Sequence, residues 1–181
     1  MRTSAIHRIR RTIQLGIATF AVVAATLVLT GGTAHAGAGN HNMSPRETNW
    51  GQCMDVGSNK PGTTIGLYYC NANSTTTYTS QQWWWHSINL SSYVVASASS
   101  GYQLCWDVSS YAQGTQVGLN WCNSALASQL WDINNYQIRS VGSGRTMCLD
   151  MRSYAAGTPI GLNYCNSTLA SQRWNFRWTT G

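Results

Sequence analysis

The sequence predicts an all-β domain built from three copies of one repeat around a pseudo-threefold axis. Three pairs of cysteines share a separation of 17 residues, and the same short motifs recur around each pair. Short alternating segments, separated by Gly, Asn, Ser and Thr, indicate strands and turns rather than helices. A repeat of this size cannot bury its apolar face alone, so we expect three copies to pack around one core.

The first 36 residues have the pattern of a cleaved signal peptide. A basic start precedes an apolar run at residues 13–29, and Ala-His-Ala at residues 34–36 is a small-residue cleavage pattern. A membrane anchor is the alternative, because about 17 apolar residues is at the short end of what spans a bilayer. The N-terminal position and the Ala-His-Ala end favour cleavage. We therefore expect a secreted, extracellular protein with no membrane insertion after the signal is removed.

Removal of this leader lowers the positive charge of the chain. The full chain has 11 Lys or Arg and 5 Asp or Glu. Four of the basic residues lie in the leader, and no basic run remains that would bind nucleic acid. The remainder is rich in Trp, Tyr, Asn, Ser, Thr and Gly. Such a chain folds around aromatic and β-branched residues, and its neutral polar surface suits uncharged ligands that carry hydroxyl groups.

We divide the chain into a signal peptide (residues 1–36), an N-terminal arm (37–48) and a repeat domain (49–181). The repeats cover about residues 49–88, 89–134 and 135–181, and each contains Cys-x-Asp followed by Gln-x-Trp. Six cysteines allow 15 pairings. Because equivalent residues should make equivalent bonds, repetition selects Cys53–Cys70, Cys105–Cys122 and Cys148–Cys165, and a secreted context permits them. No Cys-x-x-Cys spacing exists, so we expect no metal and no cofactor.

Alternation within the strands predicts which side chains form the core. We expect threefold layers of apolar residues, closed by the tryptophan of each Gln-x-Trp motif. These layers are Val56, Val108 and Met151; Ile65, Val117 and Ile160; Leu67, Leu119 and Leu162; and Trp83, Trp131 and Trp174. In the run Trp83-Trp84-Trp85, alternation buries the outer two residues and turns Trp84 outward as a candidate contact residue.

The repeated motifs resemble those of the ricin-type β-trefoil lectins, also classed as family 13 carbohydrate-binding modules. The resemblance covers roughly residues 40–181 and depends on three copies of Cys-x-Asp in register with Gln-x-Trp. It implies a β-trefoil with about four strands and one shallow sugar site in each repeat.

The resemblance also implies the chemistry of each site. An ionised aspartate accepts hydrogen bonds from vicinal sugar hydroxyls, an aromatic ring stacks on the sugar, and side-chain amides complete the contacts. In the family the glutamine of Gln-x-Trp supports the aspartate. The candidate carbohydrate-binding residues are Asp55, Tyr68 and Gln81 in the first repeat, Asp107, Asn120 and Gln129 in the second, and Asp150, Asn163 and Gln172 in the third. The alternative for the aspartates is a structural role in the turn that follows.

The sequence departs from the family pattern at the stacking position, two residues before the second cysteine. Tyr68 keeps an aromatic residue there, whereas asparagine replaces it in the other repeats. The best candidate site is therefore in the first repeat, with Asn73 from the following loop. A glycine also replaces the family's glutamine four residues before that cysteine, which indicates either a sugar other than the galactose type or weakened binding. The glycines are Gly66, Gly118 and Gly161.

Each repeat has a further aromatic residue immediately before the second cysteine. These residues are Tyr69, Trp121 and Tyr164. A shift of one residue along a strand turns the side chain to the opposite face, so we expect these three to pack inward.

We expect a secreted, non-catalytic carbohydrate-binding protein whose partners are glycans or polysaccharide. The alternative is a protein-binding or cell-binding trefoil subunit of a multi-part secreted toxin or hydrolase complex, with reduced sugar binding and a secreted protein partner. An enzyme is disfavoured because glycoside hydrolysis needs two neighbouring carboxylates. Three of the five acidic residues occupy equivalent repeat positions, which leaves only Glu47 and Asp132.

Overall fold

The computed structural model describes residues 39–71 and 78–178, so the predicted signal peptide and Asn73 lie outside the described residues. This part of the chain has twelve strands and five 3-10 helices of three residues each. The strands are β1 (Gly39–Pro45), β2 (Gln52–Val56), β3 (Ile65–Tyr69), β4 (Trp83–Asn89), β5 (Ser92–Ser97), β6 (Leu104–Asp107), β7 (Gly118–Trp121), β8 (Trp131–Asn134), β9 (Gln137–Ser140), β10 (Met147–Met151), β11 (Ile160–Tyr164) and β12 (Trp174–Trp178).

The strands form three groups of four, which confirms the predicted all-β threefold architecture. In each group the two middle strands pair as an antiparallel hairpin: β2–β3, β6–β7 and β10–β11. The outer strands form a continuous sheet in the order β9-β8-β5-β4-β1-β12. The Trp174 backbone N–H at the start of β12 donates to the carbonyl of Tyr136, just before β9, at 2.9 Å. The two ends of the sheet therefore meet.

The segment predicted as an N-terminal arm contains a strand of the sheet. β1 pairs with both β12 and β4. It is the first strand of the first repeat, equivalent to β5 and β9, and Met43, Val95 and Ile138 at matching positions are all fully buried. The pattern Gly-Asn-His-Asn-Met-Ser-Pro concealed this strand because Met43 is its one strongly apolar residue. The first repeat therefore begins at β1, before residue 49.

The predicted core is confirmed in full. All twelve side chains of the four predicted layers are buried, with at most 4% of their surface exposed. Trp106 lies at the centre of an edge-to-face aromatic cluster, with ring centroids 5.3 Å from Trp83, 5.7 Å from Trp85 and 5.9 Å from Trp131. Trp84 is half-buried rather than fully outward, because its ring packs against Tyr102.

The three predicted disulfides are confirmed. Cys53–Cys70, Cys105–Cys122 and Cys148–Cys165 each join the start of one hairpin to its end, with Cα atoms 4.8–4.9 Å apart. Across residues 39–71 and 78–178, the structure contains no helix with the length and apolar character to span a membrane. The same residues contain no group of three or more His, Cys, Asp or Glu that could hold a metal ion.

The three hairpins bind one another in a closed ring of backbone hydrogen bonds. Ile65 N–H donates to the carbonyl of Val117 at 2.9 Å, and Val117 N–H donates to that of Ile160 at 2.9 Å. The ring closes where Leu67 N–H donates to the carbonyl of Thr158 at 2.9 Å. Each repeat therefore touches the next repeat through its hairpin.

The close approach of the hairpins explains the glycine at the family's glutamine position. A Cβ atom on Gly66, Gly118 or Gly161 would lie 3.0–3.2 Å from a threonine carbonyl oxygen of the neighbouring hairpin. Such a contact is tighter than nine in ten real Cβ contacts. The glycines therefore have a structural cause that is independent of any ligand.

Candidate functional site

The aspartate of Cys-x-Asp and the glutamine of Gln-x-Trp are hydrogen-bonded in every repeat. The aspartate lies in the first strand of the hairpin, and the glutamine ends the 3-10 helix that precedes the tryptophan. The glutamine Nε2 donates to the aspartate Oδ2 in each repeat: Gln81 to Asp55 at 2.9 Å, Gln129 to Asp107 at 3.2 Å and Gln172 to Asp150 at 3.1 Å.

The glutamines are buried and face the protein. Gln81 is 2% exposed, and the other two are 0% exposed. The Nε2 of Gln81 also donates to the carbonyl of Tyr69 at 2.9 Å, while the Oε1 of Gln81 accepts from the N–H of Asn71 at 3.2 Å. Gln129 and Gln172 make the same bonds in their own repeats. The geometry places the glutamines behind the aspartates, where they hold the carboxylates in position.

In the second and third repeats an asparagine also donates a hydrogen bond to the carboxylate. Asn120 Nδ2 donates to Oδ2 of Asp107 at 2.9 Å, and Asn163 Nδ2 donates to Oδ2 of Asp150 at 2.7 Å. In the second repeat, Oδ1 of Asp107 accepts from the N–H of Val108 at 2.8 Å. Both oxygens of Asp107 therefore already have partners within the protein.

These bonds lower the pKa of the Asp107 carboxyl group. Burial acts to raise the pKa of its carboxyl group, but hydrogen bonds from the side chains of Ser128, Asn120 and Gln129 and from the Val108 N–H lower it. The net effect is a pKa below the usual 3.8. The carboxylate is therefore charged at neutral pH and is stabilised by the protein itself.

The first repeat has an aromatic ring where the other repeats have this asparagine. Tyr68 lies on β3, opposite Cys53 of β2, and its side chain is 55% exposed. Among the described residues, Gln81 is the one side chain that donates to Asp55. By contrast, Asp107 and Asp150 each accept from at least two side chains. The first repeat thus combines an exposed ring with the carboxylate that has the fewest side-chain donors among the described residues.

Each aspartate lines a cleft between its own hairpin and the turn of a neighbouring hairpin. The cleft at Asp55 has a volume of about 520 Å³, and the clefts at Asp107 and Asp150 have volumes of about 280 and 260 Å³. The residue two positions after the aspartate differs between the repeats, and it also lines the cleft. This residue is Gly57, Ser109 or Arg152.

The expected inward position of the three additional aromatics is wrong. Tyr69, Trp121 and Tyr164 are 64%, 60% and 65% exposed. Each is the last residue of its strand, beyond the core layer formed by the leucines two residues earlier. Alternation directs these side chains toward the core side, but the core has already ended at that level.

One further aromatic near the first site was missed in the sequence. Tyr78 precedes the 3-10 helix Thr79–Gln81 and is 60% exposed. Its equivalents in the other repeats are Leu126 and Leu169. A comparison of the three Ser-Gln segments could have found it, because the first repeat alone has an aromatic residue there.

Comparison with known proteins identifies the family. The model of the ricin-type beta-trefoil lectin domain matches residues 43–174, which is more than half of the chain. The chain belongs to the ricin-type β-trefoil lectin family. Among curated proteins, no sequence relative matches this lectin.

Solved structures show the same fold. A designed threefold-symmetric protein, ThreeFoil, is similar with a TM-score of 0.62 and 22% identity, over 76% of this chain and 96% of that one. An agglutinin from Abrus precatorius is similar with a TM-score of 0.61 and 23% identity, over 77% of this chain and 48% of the other. An exo-β-1,3-galactanase from Clostridium thermocellum has a TM-score of 0.63 and 19% identity, over 78% and 30%.

These likenesses confirm the predicted β-trefoil. This chain spans less than half the length of the agglutinin chain and of the galactanase chain. At this identity they establish the fold, and the site has to be interpreted from this chain's own residues.

Proposed function

We propose that this lectin domain is a secreted, non-catalytic sugar-binding protein whose main site is in the first repeat. In this site Asp55 accepts hydrogen bonds from two vicinal hydroxyls, and Tyr68 stacks on the apolar face of the sugar. The observation that carries the proposal is the exposed ring of Tyr68 beside a carboxylate that accepts from one side chain among the described residues, in the largest of the three aspartate clefts.

Physical chemistry supports this division of roles. A carboxylate accepts hydrogen bonds only, and a charge-assisted bond to a hydroxyl is about twice as strong as a neutral one. A sugar ring has an apolar face that an exposed aromatic side chain can cover. Gln81 holds Asp55 in place at 2.9 Å, so the acceptor does not have to be ordered when the sugar binds.

The second and third repeats are weaker candidates in this proposal. A sugar hydroxyl would have to compete with Asn120 for Asp107 and with Asn163 for Asp150. Neither repeat has an aromatic ring at the stacking position. In the third repeat, Gln113 Nε2 additionally donates to Oδ1 of Asn163 at 2.8 Å, which engages that amide within the protein.

The distribution of carboxylates supports a non-catalytic role. A single acidic residue lines each aspartate cleft, whereas glycoside hydrolysis requires a pair. Asp132 is 4% exposed and forms ion pairs with Arg139 at 2.7 Å and Arg145 at 2.6 Å, so it is not available to a substrate. We expect no release of reducing ends from polysaccharides by the purified protein, and measurable release would refute this part of the proposal.

A glycan array tests the sugar site. Wild-type protein should bind a defined set of neutral glycans, and Asp55→Ala and Tyr68→Ala should each abolish that binding. Tyr164→Ala is the matched control, because it removes an exposed tyrosine from another repeat and should leave binding unchanged. If wild-type protein bound no glycan and recovered a secreted protein in a pull-down, the protein-binding alternative would replace this proposal.

Secretion has a separate test. N-terminal sequencing of protein recovered from the culture medium of an expressing host should give a chain that starts at Gly37. Retention of the leader in a membrane fraction would contradict the signal-peptide assignment.

A further inference from the structure

We propose that the first repeat binds an oligosaccharide of at least two neutral sugar units, laid across two adjoining clefts, rather than one terminal sugar. This inference rests on the proposed sugar site at Asp55 and Tyr68. It assigns a second subsite to Tyr69 and Tyr78, two residues for which the first subsite has no role.

A second cleft lies next to the first. Its volume is about 470 Å³, and Asp55, Tyr68 and Ser80 line it together with Tyr69 and Tyr78. The same three residues, Asp55, Tyr68 and Ser80, also line the cleft of about 520 Å³. Because three lining residues are shared, the two clefts adjoin at Asp55 and Tyr68.

The aromatic rings present flat surfaces in different directions along this double cleft. The ring centroids of Tyr68 and Tyr69 are 5.5 Å apart, and their planes are inclined by 72°. One pyranose therefore cannot stack on both faces, whereas two consecutive units can each cover one ring. Tyr78, which is 60% exposed, adds a third ring to the wall of the second cleft.

The equivalent surfaces of the other repeats lack this combination. The second repeat has Trp121 and Leu126, the third has Tyr164 and Leu169, and neither has a ring at the position of Tyr68. A leucine side chain has no flat face for a pyranose. Three tyrosines around one aspartate are thus specific to the first repeat.

The charges of the double cleft indicate a neutral ligand. Among the described residues that line the two clefts, Asp55 is the one group charged at neutral pH. Its carboxylate would repel an acidic sugar, and the described residues that line the two clefts include no lysine or arginine to compensate. Tyrosine hydroxyls, Ser80 and Asn71 supply uncharged hydrogen-bonding groups for further sugar hydroxyls.

Titration calorimetry with sugars of increasing length tests the inference. The probes are methyl β-galactoside and methyl β-xyloside, with β-1,3-galacto- and β-1,4-xylo-oligosaccharides of two to four units. We expect affinity to rise about tenfold or more from one unit to two or three in at least one series, which corresponds to about 1.4 kcal/mol. Tyr78→Ala should remove this gain and leave monosaccharide affinity within about twofold of wild type, and Tyr69→Ala should also remove the gain.

The outcomes distinguish a missing second subsite from a missing sugar site. Affinity that does not change with chain length, while Asp55→Ala still abolishes binding, would contradict the second subsite and leave the sugar site intact. If the second cleft bound a peptide instead, Tyr78→Ala would lose the capture of a protein partner and would keep the effect of sugar chain length. That result would also overturn the inference. Binding of no probe and no array glycan would overturn the proposed function itself.

Matched variants control for folding and for nonspecific aromatic contacts. Trp121→Ala and Tyr164→Ala remove exposed rings at the position equivalent to Tyr69 in the other repeats and should keep the full length effect. All four replaced side chains are at least 60% exposed, so each variant should fold, and a wild-type melting temperature verifies this.

Discussion

At the scale of single residues, the three repeats differ mainly in what faces the aspartate. An asparagine amide and a sugar hydroxyl are both hydrogen-bond donors, so they compete for the same carboxylate oxygens. A tyrosine ring does not compete and adds a surface for stacking. We therefore propose that one position, occupied by Tyr68, Asn120 or Asn163, determines whether the carboxylate binds a sugar or a side chain of the protein.

Asn120→Tyr is expected to create a second sugar site. The change removes the amide that donates to Asp107 at 2.9 Å and places an exposed ring at the stacking position. Calorimetry should show the number of bound sugars per chain rise from one toward two. Asn120→Ala, which removes the amide without adding a ring, is the control and should leave the number at one.

The stability of the fold should depend on Asp107 in a pH-sensitive manner. The pKa of Asp107 is below 3.8 in the folded protein, so the folded state binds a proton less readily than the unfolded state does. The stabilisation is therefore present above the unfolded pKa and is lost as the pH falls through the folded value. In urea titrations, Asp107→Asn should be less stable than wild type at pH 7. The difference should shrink below about pH 4, and a difference that is constant down to about pH 2 would contradict the linkage.

At the scale of elements, the hairpins both build the clefts and restrict the sequence. The turn of each hairpin reaches the strand of the next, as in the bond from Gly62 N–H to the carbonyl of Leu119 at 2.7 Å. Gly62 has a φ of +85°, and its two equivalents have +86°, a conformation that side chains rarely adopt. Gly62 and its two equivalents are thus explained by the positive φ that the backbone adopts where the hairpins meet.

Gly118→Ala should destabilise the domain by about 1–3 kcal/mol, because its Cβ would lie 3.2 Å from the carbonyl oxygen of Thr63 and push two hairpins apart. The free energy of unfolding in urea measures this. Gly57→Ala is the control, since a Cβ there meets nothing within 4 Å. Equal stability of the two variants would show that the hairpins can move apart at no cost.

At the scale of the whole molecule, the domain is closed by its first strand. β1 lies between β12 and β4, so the first and last repeats are joined by the segment that begins at Gly39. Loss of β1 would leave two exposed strand edges, which favour aggregation. The chain therefore reaches its final fold only when its N-terminal and C-terminal strands meet.

Met43→Ala tests this closure. Met43 is fully buried in the main core, so its truncation should cost about 2–5 kcal/mol of unfolding free energy. Leu90→Ala is a suitable control, because Leu90 is 97% exposed and its loss should be nearly neutral. A neutral result for Met43→Ala would mean that β1 is an arm after all.

Periodicity and repetition predicted most of the fold, and they failed where local context governs. Cysteine spacing predicted the disulfides, and alternation predicted the core layers, because equivalent residues of the three repeats make equivalent contacts. Alternation misplaced Tyr69, since a pattern of faces does not tell where the core ends along a strand. It also missed β1, whose single apolar residue, Met43, gives no period.

The sequence predicted members for a candidate site but not the contacts between them. The sequence places Asp55, Tyr68 and Gln81 in one repeat, and the structure brings Asp55 and Gln81 into contact. The contact between Asn120 and Asp107 depends on side-chain conformations across a hairpin, which spacing alone does not determine. The cause of Gly66, Gly118 and Gly161 lies in neighbouring repeats, so no single repeat could reveal it.

We propose that this fold with three equivalent repeats has its sugar site in one of them. The most direct test is titration calorimetry of the best array glycan against wild type, Asp55→Asn, Asp107→Asn and Asp150→Asn. We predict one bound sugar per chain in wild type, loss of binding in Asp55→Asn, and near-wild-type affinity in the other two variants. Three sites per chain, or unchanged binding in Asp55→Asn, would contradict the claim.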